Sequence, residues 1–166
     1  MESKNSIDIN ADLGEFRNEI QLSNELEILK YISSCSVACG GHIGTNKSVR
    51  LILEECRKCG VAIGPHPSYP DREGFGRRKM DISLKDLDKS LRKQIQYFFE
   101  IANSLSMPVR HIKLHGTLYN ETARQENLIN LLLNIVDSIE DKISIIGPTN
   151  SLLEKIVSNT NIPFIS

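Results

Sequence analysis

The stretch Val61-Ala62-Ile63-Gly64-Pro65-His66 decides the fold class, because it is a short apolar run between two long segments of helical periodicity. Before it, Asn46–Cys59 is predicted to be a helix that ends at Gly60, since glycine readily adopts the left-handed conformation of a helix terminus. After it, Ser83–Leu105 is predicted to be a helix capped by Ser83. A strand between two helices indicates the strand–helix–strand repeat of parallel sheets.

The same alternation continues in both directions along the chain. Further strands are predicted at Ser6–Ala11, Ser34–Cys39, Val109–Leu114, Lys142–Ile146 and Ile162–Ile165, and further helices at Asn24–Tyr31, Ala123–Ile139 and Asn150–Ser158. In the longest helix, apolar residues recur at spacings of three and four and so form one buried stripe: Leu84, Leu87, Leu91, Ile95, Phe98 and Ile101.

Two architectures fit about six parallel strands with flanking helices: a doubly wound open sheet and a (β/α) barrel. A closed barrel usually needs about 250 residues, whereas this chain has 166. The length therefore favours one domain over residues 1–166, built as an open sheet or as a shortened barrel.

The composition excludes several classes of partner. The net charge is −1 and the 20 basic residues are scattered, which argues against nucleic acid and anionic membranes. No apolar run approaches the roughly 20 residues of a membrane span, and Met1–Asn5 lacks a signal-peptide core. We expect a cytoplasmic protein. Cys56 and Cys59 form a CxxC pair, but no second pair completes a zinc site, so all four cysteines are expected to be reduced thiols.

Polar residues concentrate where the predicted strands end. Since the carboxyl ends of parallel strands share one rim, and ligands bind at that rim, we expect these side chains to lie together. The segments are Asn10-Ala11-Asp12-Leu13-Gly14-Glu15, Ala38-Cys39-Gly40-Gly41-His42-Ile43-Gly44, Gly64-Pro65-His66-Pro67-Ser68-Tyr69-Pro70-Asp71 and Lys113-Leu114-His115-Gly116-Thr117-Leu118-Tyr119-Asn120.

Each of these residues also has a purely structural interpretation. Asp12 could cap a turn, Glu15 could be solvated, and a lone histidine such as His42 is more often structural than catalytic. His66 lies between two prolines, a stiff backbone that suits either a site or a packed corner. His111 shares a strand face with His115 but lies about 13 Å from it, so we do not expect the two to be partners.

The segment Asp71-Arg72-Glu73-Gly74-Phe75-Gly76-Arg77-Arg78 is predicted to be a mobile loop over this rim. Its arginines suit a carboxylate or phosphate, although pairing with Asp71 and Glu73 in a surface turn is the alternative. The sequence has no P-loop motif, so any nucleotide must be held in another way.

Five ordered blocks carry a resemblance to a known family, and it runs from about Ile7 to the end of the chain. The four strand-end segments and Gly74-Phe75-Gly76-Arg77-Arg78 resemble the signature blocks of the LamB/YcsF family in order and spacing.

This resemblance implies a fold and an activity that spacing alone does not give. The implied fold is a seven-stranded (β/α) barrel of the deacetylase-like type, here incomplete and lacking C-terminal strands. The implied activity is that of the A subunit of a bacterial, ATP-hydrolysing 5-oxoprolinase. With the B and C subunits it opens 5-oxo-L-proline to L-glutamate, coupled to hydrolysis of ATP, which the partner subunits could bind. Association into a homo-oligomer is a further expectation.

The chain departs from the family pattern in four places. After Glu15, Phe16-Arg17-Asn18 stands where the family has a glycine-aromatic-glycine run. Thr45 stands where the family has an acidic residue, and Leu114 stands where it has proline. The end, Phe164-Ile165-Ser166, matches the stretch before a family block Phe-Ala-Asp-Arg, so a naturally short chain and a fragment both remain open.

Within the resemblance, we expect an acid–base set for opening an amide, made of Asp12, His42, His66 and His115. Lys113 and Arg77 are expected to neutralise developing negative charge. Substrate contacts are expected from Asn10, Glu15, Asp71, Arg77, Lys113, Tyr119 and Asn120. The similarity to deacetylases also suggests a divalent metal on Asp12, His42 and His66.

Two alternatives belong to other functional classes. One is a metal-dependent amidohydrolase or carbohydrate deacetylase that needs no ATP. The other is a non-catalytic, truncated family member that still docks onto the B and C subunits.

Overall fold

The computed structural model describes residues 7–166, which form a parallel α/β fold of six strands and six helices. The strands are Asn10–Leu13 (β1), Ser34–Ala38 (β2), Ala62–His66 (β3), His111–Lys113 (β4), Ser144–Ile146 (β5) and Phe164–Ile165 (β6). The helices are Glu19–Ile28 (α1), Asn46–Cys59 (α2), Leu84–Ser104 (α3), Gly116–Thr122 (α4), Glu126–Asp137 (α5) and Leu152–Val157 (α6).

The strands form two three-stranded parallel sheets, with orders β1-β2-β3 and β4-β5-β6. The sheets meet where a parallel bridge joins Ile63 to Val109 and the Arg110 amide donates to the Ile63 carbonyl oxygen over 2.9 Å. The six strands therefore follow one another in chain order, and the carboxyl ends of β1 to β4 lie on one side.

Most of the predicted elements are confirmed, and their ends follow from capping. Thr45 caps α2 in a reciprocal pair with Ser48, and Gly60 ends the helix with φ 70°. Ser83 caps α3 by accepting a hydrogen bond from the Asp86 amide. The exposed Thr45, which replaces an acidic residue of the family pattern, thus has a structural role at this position.

Several predicted boundaries were wrong. Strand one is Asn10–Leu13 and pairs with β2 from Asn10; Ile7 and Ile9 before it are exposed, and Ser6 and Met1–Asn5 lie outside the described residues. The first helix begins at Glu19, since Asn18 caps it. The last begins at Leu152, since Ser151 caps it and Asn150 is left-handed.

The predicted helix Ala123–Ile139 corresponds to α5 alone, and an unpredicted helix, α4, lies before it. Gln125 is extended and interrupts the helical path between them. The first of the two begins directly after His115, in a segment that the sequence placed in a loop.

The core is built from the apolar faces of α2, α3 and α5 against the sheets. On α3 the predicted stripe is buried from Leu87 to Ile101, whereas Leu84 is 44% exposed at the first turn. Each buried leucine, isoleucine or phenylalanine contributes roughly 1.5–3 kcal/mol relative to an exposed one. Within residues 7–166, no helix is long and apolar enough to cross a membrane.

The four cysteines are free in the structure. Cys56 points into the core, where its Sγ lies 3.3 Å from that of Cys35, while Cys59 is exposed. The CxxC residues therefore face different environments and do not act as a pair.

Gly64 has no room for a side chain. A Cβ at this position would lie 2.2 Å from the main-chain oxygen of His111 on β4. We predict that Gly64→Ala lowers the free energy of unfolding by about 3 kcal/mol or more, because overpacking here pushes β3 and β4 apart. Chemical denaturation measures this change.

Gly60→Ala is the matched control, because its Cβ would meet nothing within 4 Å. Only the left-handed backbone then costs stability, about 1 kcal/mol. Equal losses for the two variants would contradict the close contact of β3 with β4.

His111 is buried beside Asn10 and Ser36, with its Nε2 3.3 Å from Asn10 Nδ2 and 3.2 Å from Ser36 Oγ. Burial, with smaller contributions from Lys113 and His66, lowers the pKa of His111 to about 4, against the opposing effect of the Cys35 main chain and Asp8. The unfolded chain, with a pKa near 6.5, therefore binds the proton more readily than the fold.

We predict that this group's contribution to stability is complete above pH 6.5 and is lost as the pH falls towards 4, by about 3 kcal/mol. Unfolding curves of the wild type and His111→Gln between pH 7.5 and 4.5 test this. The wild type should lose stability more steeply, and parallel losses would contradict the assignment.

Candidate active site

The carboxyl ends of β1 to β4 bring two carboxylates, three histidines and a lysine together. Asp12 lies in β1, and Glu15 follows it after a left-handed Gly14. Glu25 of α1 holds this turn, since its carboxylate accepts hydrogen bonds from the amides of Gly14 and Glu15 over 2.7 and 3.0 Å. The rim that the sequence predicted is therefore formed.

His66, at the end of β3, is the central side chain. Its Nδ1 lies 2.7 Å from the carbonyl oxygen of Lys113, and its Nε2 lies 3.0 Å from Nδ1 of His115 and 3.4 Å from Oδ2 of Asp12. Its ring is almost wholly buried, with 1% of the side chain exposed. It therefore connects β1, β3 and β4 in one hydrogen-bond network.

His42 and His115 stack on each other, with ring centroids 3.7 Å apart and planes 4° from parallel. Both reach Oε1 of Glu15, His42 through Nε2 at 2.9 Å and His115 through Nδ1 at 3.3 Å. The remaining nitrogen of His42 lies 3.0 Å from Oγ of Ser68. Glu15 thus accepts a hydrogen bond from His42 and lies close to His115, whose Nδ1 is nearer to Nε2 of His66.

The glycine-punctuated loop lies directly over these rings. The carbonyl oxygen of Phe75, a left-handed residue, accepts from Nε2 of His115 over 2.9 Å. The Phe75 ring meets the His42 and His115 rings edge-on, and the Arg17 guanidinium lies 5.4 Å from its centroid. A Cβ on Gly76 would approach both histidines to about 3 Å, so the loop fits the rings only with glycine there.

Asp71 fastens this loop. Its carboxylate accepts from Nε of Arg78 over 3.0 Å and from the Gly74 amide over 2.9 Å. The Arg78 hydrogen bond, with help from Gly74, lowers the pKa of Asp71 to about 2. The carboxylate of Asp71 therefore forms its hydrogen bonds within the loop. The side chain of Arg77, in the same loop, is exposed.

Lys113 and Asp12 form the open edge of the cluster. Nζ of Lys113 lies 2.7 Å from Oδ1 of Asp12 and 3.4 Å from Oδ1 of Asn10. Burial alone would raise the pKa of Asp12, but His66 and Lys113 outweigh it and hold this pKa well below its usual range. Asp12 is therefore a carboxylate, and it keeps 37% of its side chain exposed.

His42 and His115 have a lowered affinity for protons. Burial lowers the pKa of His42 and that of His115, the latter to about 4, against the opposing charge of Glu15. Burial raises the pKa of Glu15, but the hydrogen bond from His42 and the histidine charges outweigh it, so the net shift is downward. Glu15 is ionised, and His42 is a neutral donor to it.

The other predicted site residues lie around this cluster. Tyr119 is half-buried on α4, where burial and the charge of Asp12 raise its pKa, and Asn120 is exposed on the same helix. Asn10 faces inward and accepts from Ser36 Oγ over 3.0 Å. His111 joins Asn10 and not His115 among the observed hydrogen bonds, as its strand position predicted.

Sequence reasoning missed two supports, Ser68 and Gln94. The buried Gln94 amide of α3 clamps the Ser68 main chain, accepting from its amide over 3.0 Å and donating to its oxygen over 2.9 Å. A signal was present, because Gln94 is a polar residue within the apolar stripe of α3. The main-chain oxygens of Lys113 and Phe75, which accept from His66 and His115, could not be predicted from the sequence, since every residue has a main-chain carbonyl group.

A metal is the one cofactor for which the described residues offer a ligand group. One ligand atom each from Glu15, His42 and His115 lie within 4.8 Å of one another. An imidazole binds a metal in its own ring plane, and two parallel planes share no point. The distances between these three ligand atoms thus allow a bound ion. For both histidines to bind it, however, either His42 or His115 would have to rotate out of the stacked arrangement. The predicted set Asp12, His42 and His66 stays a prediction.

Comparisons with known proteins agree with the residue blocks. The chain is 37% identical over 148 residues to the 5-oxoprolinase A subunit of Chloroflexus aggregans, covering 89% of this chain and 59% of that protein. It is 40% identical over 149 residues to that of Campylobacter jejuni subsp. doylei, covering 90% and 58%. The chain therefore spans less than two thirds of the length of these curated relatives.

A solved structure supports the fold. The lactam utilization protein from Thermus thermophilus superposes with a TM-score of 0.86 at 26% identity, over 96% of this chain and 64% of that one. The family comparison matches residues 7–166 to the LamB/YcsF family. On these residues, this site geometry and these relatives, the chain belongs to the LamB/YcsF family.

Proposed function

We propose that this chain acts as the A subunit of a multi-subunit 5-oxoprolinase, which converts 5-oxo-L-proline to L-glutamate with hydrolysis of ATP to ADP and phosphate. The curated relatives named as 5-oxoprolinase A subunits support the proposal, and the B and C subunits are its partners. The observation that carries it is the buried histidine–carboxylate cluster at the ends of β1 to β4.

The architecture belongs to the same proposal. Six parallel strands follow in chain order, which is the arrangement along the wall of a (β/α) barrel. We infer the seven-stranded deacetylase-like barrel as the architecture of the complete subunit. The cytoplasm is the proposed location, because the reaction consumes ATP.

Opening a lactam requires the loss of amide resonance. Transfer of the γ-phosphoryl group to the lactam oxygen releases ADP and makes the ring carbon electrophilic. A base then takes a proton from water as its oxygen attacks that carbon, and an acid gives a proton to the ring nitrogen as the C–N bond breaks. A second water releases phosphate from the resulting acyl phosphate, leaving L-glutamate.

The described residues suit these roles. Asp12 is an ionised, partly exposed carboxylate beside His66, which fits a base that faces substrate. The ammonium of Lys113, 20% exposed, is placed to neutralise negative charge on the phosphorylated oxygen. Behind this edge lie three histidines that would carry protons: His42, His66 and His115. We add Glu15 to the acid–base set, which the sequence analysis limited to Asp12 and these histidines.

Substrate contacts are proposed for the outer residues. Tyr119 and Asn120 on α4, with Arg77 of the loop, are proposed to hold a small acidic lactam against Asp12 and Lys113, and Tyr119 lies near enough to Asp12 for that charge to raise its pKa. Asn10 supports Lys113 from within. The ATP site is assigned to this chain or to one of its partners only by experiment.

A metal-dependent amidohydrolase or deacetylase that acts without ATP is the second candidate, and the ligand group of Glu15, His42 and His115 favours it. A divalent ion would polarise a carbonyl oxygen and activate water. A non-catalytic protein that docks onto the B and C subunits is the third.

The proposed activity predicts that the 166-residue chain, mixed with the B and C subunits, ATP and 5-oxo-L-proline, releases glutamate and ADP in equal amounts. Glutamate release is measured by coupled assay, with a full-length relative as the positive control. Omission of the chain should abolish it.

Two results would contradict the proposal. Hydrolysis of an N-acetyl sugar without nucleotide, lost on chelation, would favour the metal-dependent enzyme. Stable binding to the B and C subunits without glutamate, while the relative is active, would favour the non-catalytic protein.

The position of Lys113 predicts that Lys113→Met lowers kcat in the reconstituted complex by roughly 10²-fold or more, because the developing charge loses its cation. Lys89→Met, on the exposed face of α3, is the matched control and should keep full turnover. An unchanged kcat for Lys113→Met would remove this lysine from the reaction.

A further inference from the structure

Helix α4 carries two of the proposed substrate contacts, Tyr119 and Asn120, and it is too short to be stable without support from other segments. It has seven residues, and its N-cap residue, His115, makes no side-chain capping hydrogen bond. Isolated helices shorter than about 12–15 residues are marginal in water. Where the two contacts lie is therefore decided by the segments that hold this helix.

One tripeptide after β3, Pro67-Ser68-Tyr69, holds both ends of α4. At the start of the helix, the Pro67 carbonyl oxygen accepts from the His115 amide over 2.9 Å. In the last turn, the Tyr69 hydroxyl donates to Oε2 of Glu121 over 2.5 Å, a length typical of a hydrogen bond to a carboxylate. Within residues 7–166, it is the one hydrogen bond that joins a side chain of α4 to another segment.

The tripeptide is itself a stiff support. The buried Gln94 amide accepts from the Ser68 amide over 3.0 Å and donates to the Ser68 oxygen over 2.9 Å. Pro67 and Pro70, on either side of Ser68 and Tyr69, restrict the backbone further because their rings fix φ. The Tyr69 side chain is buried among core residues, with 4% of the residue exposed. Its hydroxyl is therefore presented to α4 at a fixed point.

We propose that Tyr69 is a positioning residue of the substrate site: its hydroxyl holds Glu121, and through α4 it sets where Tyr119 and Asn120 meet the lactam. This inference rests on the proposed function. Tyr69 acts only through the helix, because its ring is buried and its hydroxyl is bound to Glu121. Tyr119 lies near enough to Asp12 for that charge to raise its pKa, so a shift of α4 changes the width of the substrate edge.

The Tyr69 hydroxyl remains the donor of this hydrogen bond at neutral pH. Burial, together with the hydrogen bond to Glu121 and the charge of that residue, raises the pKa of Tyr69 above its ordinary value. Other contacts keep α4 folded when the hydroxyl is removed, since Leu118 is buried in the core and the Ala123 oxygen accepts from the Leu152 amide over 3.0 Å. Loss of the hydroxyl therefore shifts the helix without unfolding the chain.

The kinetic test uses Tyr69→Phe, which removes only the hydroxyl, in the complex with the B and C subunits. We expect the KM for 5-oxo-L-proline to rise about tenfold, the loss typical of one hydrogen bond to a charged group. The kcat should change less than about twofold, because contacts from α4 hold the ground state and the transition state alike. Glu121→Gln keeps an acceptor and should retain a KM near that of the wild type, whereas Glu121→Ala should match Tyr69→Phe.

Tyr31→Phe is the matched control, because it removes a hydroxyl from a residue that is 72% exposed, and it should keep both constants. The double variant Tyr69→Phe/Glu121→Ala should be no worse than either single variant, since the two residues share one bond. An unchanged KM for Tyr69→Phe would overturn the proposal. A lowered kcat at constant KM would also overturn it, because the effect would then pass through Ser68 to His42.

Hydrogen exchange of the chain alone tests the same role without turnover. Tyr69→Phe should speed amide exchange in α4 by about tenfold and leave α5 unchanged, and Tyr31→Phe should alter neither helix. Equal exchange in the wild type and Tyr69→Phe would overturn the positioning role. A wild type that forms no glutamate would overturn the proposed function, and faster exchange confined to α4 would still leave Tyr69 as the residue that positions this helix.

Discussion

The hydrogen bond from Nδ1 of His66 to the carbonyl oxygen of Lys113 is the contact on which the site depends. It joins the end of β3 to the end of β4, across the seam where the two sheets meet. It fixes the orientation of the imidazole, and thereby aims the other nitrogen at Asp12 and His115. Because both strands run parallel, their carboxyl ends arrive on the same side. A main-chain acceptor cannot change its chemistry by mutation, so this orientation is set by the fold.

Each of the other histidines is oriented by a similar support from behind. Phe75 supplies a carbonyl oxygen to His115, and Ser68 supplies a hydroxyl to His42, itself fixed by the Gln94 amide. The loop that provides Phe75 is held by Asp71 and Arg78 at its base. The predicted loop over the rim is thus held by pairing of Arg78 with Asp71 and Glu73, the alternative that the sequence left open, and Asp71 as a substrate contact stays a prediction.

Much of the fold was predictable, because periodicity and caps are local. The helix Asn46–Cys59 was predicted to the residue, since Thr45 and Gly60 mark its ends. The short helix α4 was not predicted, and α5 begins at Glu126 instead of Ala123, whose oxygen accepts from the Leu152 amide of α6. Among site residues, Asp12, His42, His66, His115 and Lys113 converge as strand ends must, whereas Glu15 is hydrogen-bonded to His42 and Asp71 to Arg78.

The sequence by itself determined the parallel α/β class, the rim at the strand ends, the family and the side chains that gather at that rim. These follow from patterns within short segments and from residue identity. Only the tertiary structure decided which partner faces each histidine nitrogen and which carboxylate lies beside which ring. The physical reason is that the deciding partners are main-chain oxygens 47 residues from His66 and 40 residues from His115. Such partners have no side-chain signature, and they come into place only when the chain folds.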